Sequence, residues 1–181
     1  MSNILDRYVI HFKGLKVGLH QFDFDVDKAF FDEFEGNEIS DGRVEVAINL
    51  QRHSTMLELE FEIDGEVEVP CDHCLDRFFL PISFEGKLFV RITDSIPEDN
   101  DNDEVWFVSS NEHDINLAQY IYESICLSLP IQRYHGVLGT SSADCDQDML
   151  EKLRLLSLQS DNKEDGLKPD SPWDKLKDLK N

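Results

Sequence analysis

No stretch of the chain holds the roughly 18 consecutive apolar residues that a membrane-crossing helix needs. The opening, Met1 to Asp6, lacks the basic-then-apolar order of a signal peptide. A cytoplasmic protein is the resulting expectation. Positive charge is the next scarcity: 17 Lys and Arg stand against 38 Asp and Glu, a formal net charge of −21 at pH 7. Contact with DNA or RNA draws on Lys and Arg that neutralise phosphates, so this balance excludes broad electrostatic binding to nucleic acid. Two uses remain for the acidity, solubility or a surface for a basic partner such as a ribosomal protein. A phosphate-cradling glycine loop, a nucleophile elbow and a His-Glu-x-x-His pair are all missing. The carboxylates fall mostly on alternating strand positions of a solvated face. No catalytic residue is assigned, and the chain reads as a non-enzyme. Cysteine is sparse: Cys71, Cys74, Cys126 and Cys145 are all there are. Without an export signal they read as reduced thiols or metal ligands rather than a disulfide framework. No repeat at a fixed period appears.

What is present is ample core material, 40% hydrophobic residues with 12 Phe among 181 positions, enough for one domain. Tyr8, Ile10 and Phe12 alternate with their neighbours, as does Phe22 to Val26, which predicts two strands joined by a turn. Asp27 is placed to cap a short helix carrying Phe30, Phe31 and Phe34 and ending at Gly36. Val44, Val46, Ile48 and Leu50 share one parity of a half-buried strand. Leu57, Leu59, Phe61, Ile63, Val67 and Val69 mark a second, and Phe78 to Ile92 a third on even positions, with Gly86 expected as a bulge or bend. After an acidic loop from Asp94 to Glu104 comes a strand through Val105 to Val108. Asp114 is expected to cap a helix with Leu117, Ile121, Ile125 and Leu129 on one stripe, stopped by Pro130. A loop from Ile131 to Ala143 leads to an amphipathic helix with Met149, Leu150, Leu153 and Leu156. The fold class is therefore α+β, a mainly antiparallel and partly barrel-like sheet with two or three packed helices. One domain is assigned to 1–158 and a flexible polar tail to 159–181, where Trp173, Leu176 and Leu179 form an apolar stripe.

Chemistry concentrates at Cys71-Asp72-His73-Cys74, the tip of the expected hairpin. Two thiolates two residues apart reach adjacent corners of a tetrahedral zinc site. Downstream, one loop holds His135 and Cys145, which complete a candidate set of Cys71, Cys74, His135 and Cys145, although their spacing is wider than in an ordinary second knuckle. Free thiols in a tight turn are the plain alternative. A thiol-disulfide oxidoreductase using Cys71 and Cys74 is another. A catalytic pair gains its thiolate from a helix N-terminus, whereas here a strand follows Cys74 and Asp72 adds negative charge that raises a thiol pKa. His73 reads as a solvated turn residue and Cys126 as a small apolar residue inside its helix.

Three stretches carry a resemblance. Val69-Pro70-Cys71-Asp72-His73-Cys74-Leu75 resembles the valine-x-cysteine-x-x-cysteine-leucine signature of the YceD family, the large ribosomal RNA subunit accumulation proteins. Glu123 to Pro130 is similar to that family's glutamate-rich helix ending in leucine-x-leucine-proline. Asp170-Ser171-Pro172-Trp173 through Leu179 resembles its closing motif. Two departures stand out: the family's second cysteine pair is replaced by His135 and Cys145, and the arginine of its terminal motif is missing. The resemblance implies participation in making or stabilising large-subunit ribosomal RNA. Its implied partners are the large-subunit precursor, a basic ribosomal protein or ribosomal RNA, with the charge balance favouring the protein. A small structural zinc module with no ribosomal role is the remaining alternative.

Overall fold

The structure, a computed structural model, describes residues 4–94, 105–141 and 145–161, with side chains to Leu156. Its centre is a five-stranded sheet in the order β2-β3-β4-β5-β6, formed by Gly18–Val26, Asp41–Arg52, Met56–Pro70, Arg77–Thr93 and Val105–Ser109. The first four strands pair antiparallel and β6 runs parallel to β5. The sheet stays open, with β2 and β6 as its edges, rather than closing into a barrel. Period-2 alternation explains its two faces. Val44, Val46, Ile48 and Leu50, then Leu57, Leu59, Phe61 and Ile63, then Leu80, Leu88 and Val90 point to one side and are buried. The other side carries Glu45, Glu60, Glu62, Asp64 and Glu85 into solvent. Helix α1, Lys28–Phe31, and helix α2, Ala118–Ser128, cover the apolar side. Tyr120 of α2 lies 4.5 Å from the Phe61 ring, and Phe30 and Phe31 are 0% and 1% exposed. Each such large apolar side chain contributes roughly 1.5–3 kcal/mol by leaving water.

Four local expectations are corrected. Of the N-terminal pair of strands, the second forms as β2, whereas the first is instead a 3-10 turn over Ile4–Tyr8, a two-residue strand β1 (Val9–Ile10) and a second 3-10 turn over Phe12–Gly14. β1 pairs not with β2 but with β7, Ile115–Asn116. That pairing takes the segment where a helical cap was expected at Asp114, so α2 starts at Ala118, whose N–H donates to the Asn116 side chain. α1 does have Asp27 as its cap, accepting from the Ala29 and Phe30 amides, but ends at Phe31. Phe34 follows in a turn and stacks on Tyr122 at 3.9 Å. Gly86 makes no bulge. It pairs in register with Phe61, and a Cβ there would stand 2.5 Å from the Phe84 ring and 3.2 Å from the Tyr120 hydroxyl, so the missing side chain makes room first for Phe84 and then for α2. Helix α3, Gln147–Asp161, carries Met149 and Leu150 against the core. Trp173, Leu176 and Leu179 lie outside the described residues.

Candidate metal centre

β4 and β5 run in one unbroken register from Met56↔Arg91 to Pro70↔Arg77, and their connection is the cysteine knuckle. Its turn is closed by the Cys71 amide donating to the Asp76 carbonyl at 2.8 Å and the Leu75 amide donating to the Cys71 carbonyl at 2.9 Å. Leu75 takes a φ of 69°, the left-handed conformation that reverses the chain after Cys74. The long hairpin thus carries both thiols to the end of the sheet.

The second half of the site arrives through an interaction that sequence reasoning missed. The Asp72 amide donates to the Arg133 carbonyl and the Arg133 amide donates to the Asp72 carboxylate, each at 2.6 Å. This reciprocal clamp binds the knuckle to the loop and sets His135, two residues on, against Cys74. Arg133 is held in turn by Glu38 at 2.6 Å. Phe78 packs against the His135 ring at 4.5 Å, and Tyr134 stacks on His73 at 4.7 Å. His73 is therefore an exposed turn residue, as expected, with a stacking partner. Cys145 stands next to Asp146, whose carboxylate accepts from the Asp148 and Met149 amides and so caps α3. The start of that helix places the fourth group. The clamp has no sequence signature, because three of its four groups are backbone atoms and only the Asp72 carboxylate is a side chain.

The ligand-type atoms of Cys71, Cys74, His135 and Cys145 all lie within 4.8 Å of one another. The Cys71 and Cys145 sulfurs are 4.0 Å apart, and Cys74 Sγ is 3.6 Å from His135 Nδ1. A tetrahedral ion with zinc-sulfur and zinc-nitrogen bonds of about 2.3 and 2.05 Å sets its ligands about 3.8 Å (S to S) and about 3.6 Å (S to N) apart. The donor set and its spacing therefore fit zinc, and nothing larger than a single ion fits between them. Exposures of 0%, 3%, 7% and 6% for Cys71, Cys74, His135 and Cys145 make the site closed, as structural zinc sites are. Cys126 is outside it, half-buried in α2, with its thiol pushed up by burial. A cavity of about 630 Å³ lined by Asp76, Arg77, Phe79, Thr140 and Ser141 borders His135.

Electrostatics differ from the sequence-based expectation. Burial pushes the Cys71 thiol up, but backbone donors from Cys74, His135 and His73, with the Cys74 thiol, outweigh it and bring Cys71 down to about 6. The Asp72 carboxylate, expected to raise that thiol, accepts from the Arg133 amide, and the donors around Cys71 prevail. Cys145 has the opposite environment: burial first, then Cys74 and Cys71, push it up to about 12. A low thiol pKa suits both a metal ligand and a redox catalyst. Complete burial of Cys71, and the strand that follows Cys74 at Arg77, oppose the catalyst, whose sulfur must meet a substrate disulfide.

Among known proteins, the family model described as "Large ribosomal RNA subunit accumulation protein YceD" matches residues 59–180. No curated protein and no solved structure matches the chain.

Proposed function

This chain belongs to the YceD family of large ribosomal RNA subunit accumulation proteins, and from that membership we propose that it is a non-enzymatic factor acting on the large-subunit precursor in the cytoplasm. The match from residue 59 to residue 180 is the observation that carries the reading, since it takes in the knuckle, α2, α3 and the terminal Trp173 segment together. The charge of −21 favours contact through a basic ribosomal protein of the precursor over contact with bare RNA. In this proposal Cys71, Cys74, His135 and Cys145 hold one zinc ion. When bound, the metal joins the hairpin tip, the Arg133 loop and the start of α3 into one unit, and supplies no reaction chemistry. The Asp72–Arg133 clamp orients His135 for that role in the manner of the outer hydrogen bonds that align metal ligands. Trp173, Leu176 and Leu179 are proposed to dock on the precursor.

Sedimentation of cell extract containing the tagged full chain, and of a second extract containing a chain ending at Gly166, tests the reading. The full chain should travel with large-subunit precursors, and the shorter one should keep its melting temperature but stay at the top of the gradient. A full chain that never leaves the top of the gradient contradicts the proposal.

A further inference from the structure

Edge strands expose a row of unpaired N–H and C=O groups, and natural sheets blunt them with lysine, proline, a bulge or a covering element. Among the described residues, β2 has none of these along most of its length. From Gly18 to Val26 it contains neither lysine nor proline, and its pairing with β3 runs without a bulge from Gly18↔Arg52 to Val26↔Val44. Among the described residues, the one hydrogen bond its main chain receives from outside the sheet is the Tyr8 hydroxyl donating to the Asp25 carbonyl, near the strand's end. Among the described residues, Gly18 to Phe24 is an open edge.

Charge and shape select what can occupy it. The registers align Asp25, Glu45 and Asp64 in one row across the solvent face, and Asp23, Ala47, Glu62 and Glu85 in the next. Like charges directly opposite one another destabilise a sheet. The nearby cations do not relieve them: Lys87 is spent on Glu60 and Glu58, and Arg43 on Glu66. Among the described residues Asp23, Asp25, Glu45, Glu62, Asp64 and Glu85 form no salt bridge. A strand added beyond β2 would place its side chains at the ends of these rows, beside Asp23 and Asp25. A second copy of β2 would bring further aspartates there, so the charge opposes self-association. On the reverse face the added strand would meet Phe22 and Phe24, which are only half-buried. An apolar side chain would complete their burial.

We propose that the β2 edge docks an extended segment of a partner protein in which Lys or Arg alternates with apolar residues, added to the sheet as a further strand. Backbone hydrogen bonds supply affinity, and the two faces read the alternation. The inference goes beyond the ribosomal reading and does not depend on it.

A labelled nine-residue peptide alternating lysine with valine, titrated against the full chain at low salt, tests it, beside a peptide of the same composition with its lysines grouped together. The alternating peptide should bind roughly tenfold tighter or better, and should slow hydrogen exchange at β2 amides. The double variant Asp23→Lys and Asp25→Lys should weaken it roughly tenfold, and Asp23→Asn with Asp25→Asn should weaken it less, with melting temperature confirming the fold. Asp148→Lys with Glu151→Lys, the same change in net charge placed on α3, should leave binding unchanged. Equal binding of the two peptides, protection of amides away from β2, equal loss in the α3 variant, or a dimer joined through β2 would each overturn the proposal.

Discussion

Cys71 and Cys145 touch through their sulfurs yet are driven in opposite directions, one thiol down to about 6 and the other up to about 12. Cys71 is depressed from 9.0, so in metal-free protein its contribution to stability is fully present above pH 9 and is lost as pH falls through about 6. Cys145 is raised from 9.0, so its contribution is fully present below pH 9 and is lost as pH rises through about 12. Thiolate absorbance of metal-free protein should accordingly show a step near pH 6 from Cys71. No thiolate below about pH 8, where an ordinary thiol begins to ionise, would contradict that environment. The metal role makes a separate claim. Purified full-length protein should carry one equivalent of zinc by elemental analysis, Cys71→Ser should lose it, and His135→Cys, which replaces one zinc-binding side chain with another, should retain it. Retention of full zinc by Cys71→Ser would place the metal elsewhere. Alkylation of these thiols should be slow in the zinc form and accelerate with chelator, whereas a redox pair would react rapidly in either.

At the scale of the element, the β4–β5 hairpin determines where everything else can be. Its inward rows are continuous except at Gly65 and Gly86, and Gly65 shows why. A Cβ there would lie 2.2 Å from the Arg43 carbonyl oxygen and 2.7 Å from Val44 Cα, backbone atoms of β3 with no rotamer to escape into. Gly65→Ala should therefore destabilise the protein by about 1–3 kcal/mol, as overpacking does, and denaturant unfolding should register it as a lower midpoint at unchanged slope. An unchanged midpoint would mean that the two strands separate more easily than their packing implies. The same hairpin was legible in the sequence because Leu57 to Val69 and Phe78 to Ile92 alternate strictly over long runs, and the Cys-x-x-Cys between them advertised the turn. The N-terminus was not legible. Tyr8, Ile10 and Phe12 alternate like one strand, yet Tyr8 and Phe12 bury their side chains from two short 3-10 turns, Ile10 lies in the two-residue β1, and the partner of β1 is more than a hundred residues away at Ile115–Asn116. Periodicity reports which side is buried, not which distant segment supplies the hydrogen bonds. The candidate ligands were likewise legible by residue type, while the Asp72–Arg133 clamp that unites them was not, since main-chain amides and carbonyls look alike at every position.

Viewed whole, the molecule has a closed knuckle at one end of a sheet whose solvent face is strongly acidic. Asp25, Glu45 and Asp64 stand in register across three strands, and Glu62 stands beside Glu85. Such a surface repels phosphate and attracts cationic protein, accelerating encounter with a basic partner at low ionic strength. Its cations are dispersed: Arg43, Arg77, Lys87 and Arg133 each contact an acidic or polar group of the chain itself. Binding that rested on six or more phosphate contacts would fall by roughly a thousandfold between 50 and 200 mM salt as counterions are released. The most direct test is titration of the full chain against naked large-subunit ribosomal RNA and against protein-bearing precursor, each at about 50 and 200 mM salt, the range over which phosphate-dominated affinity changes steeply. Weak binding to naked RNA with tighter binding to the precursor is the predicted result. Tight binding to naked RNA that collapses at the higher salt would contradict the account.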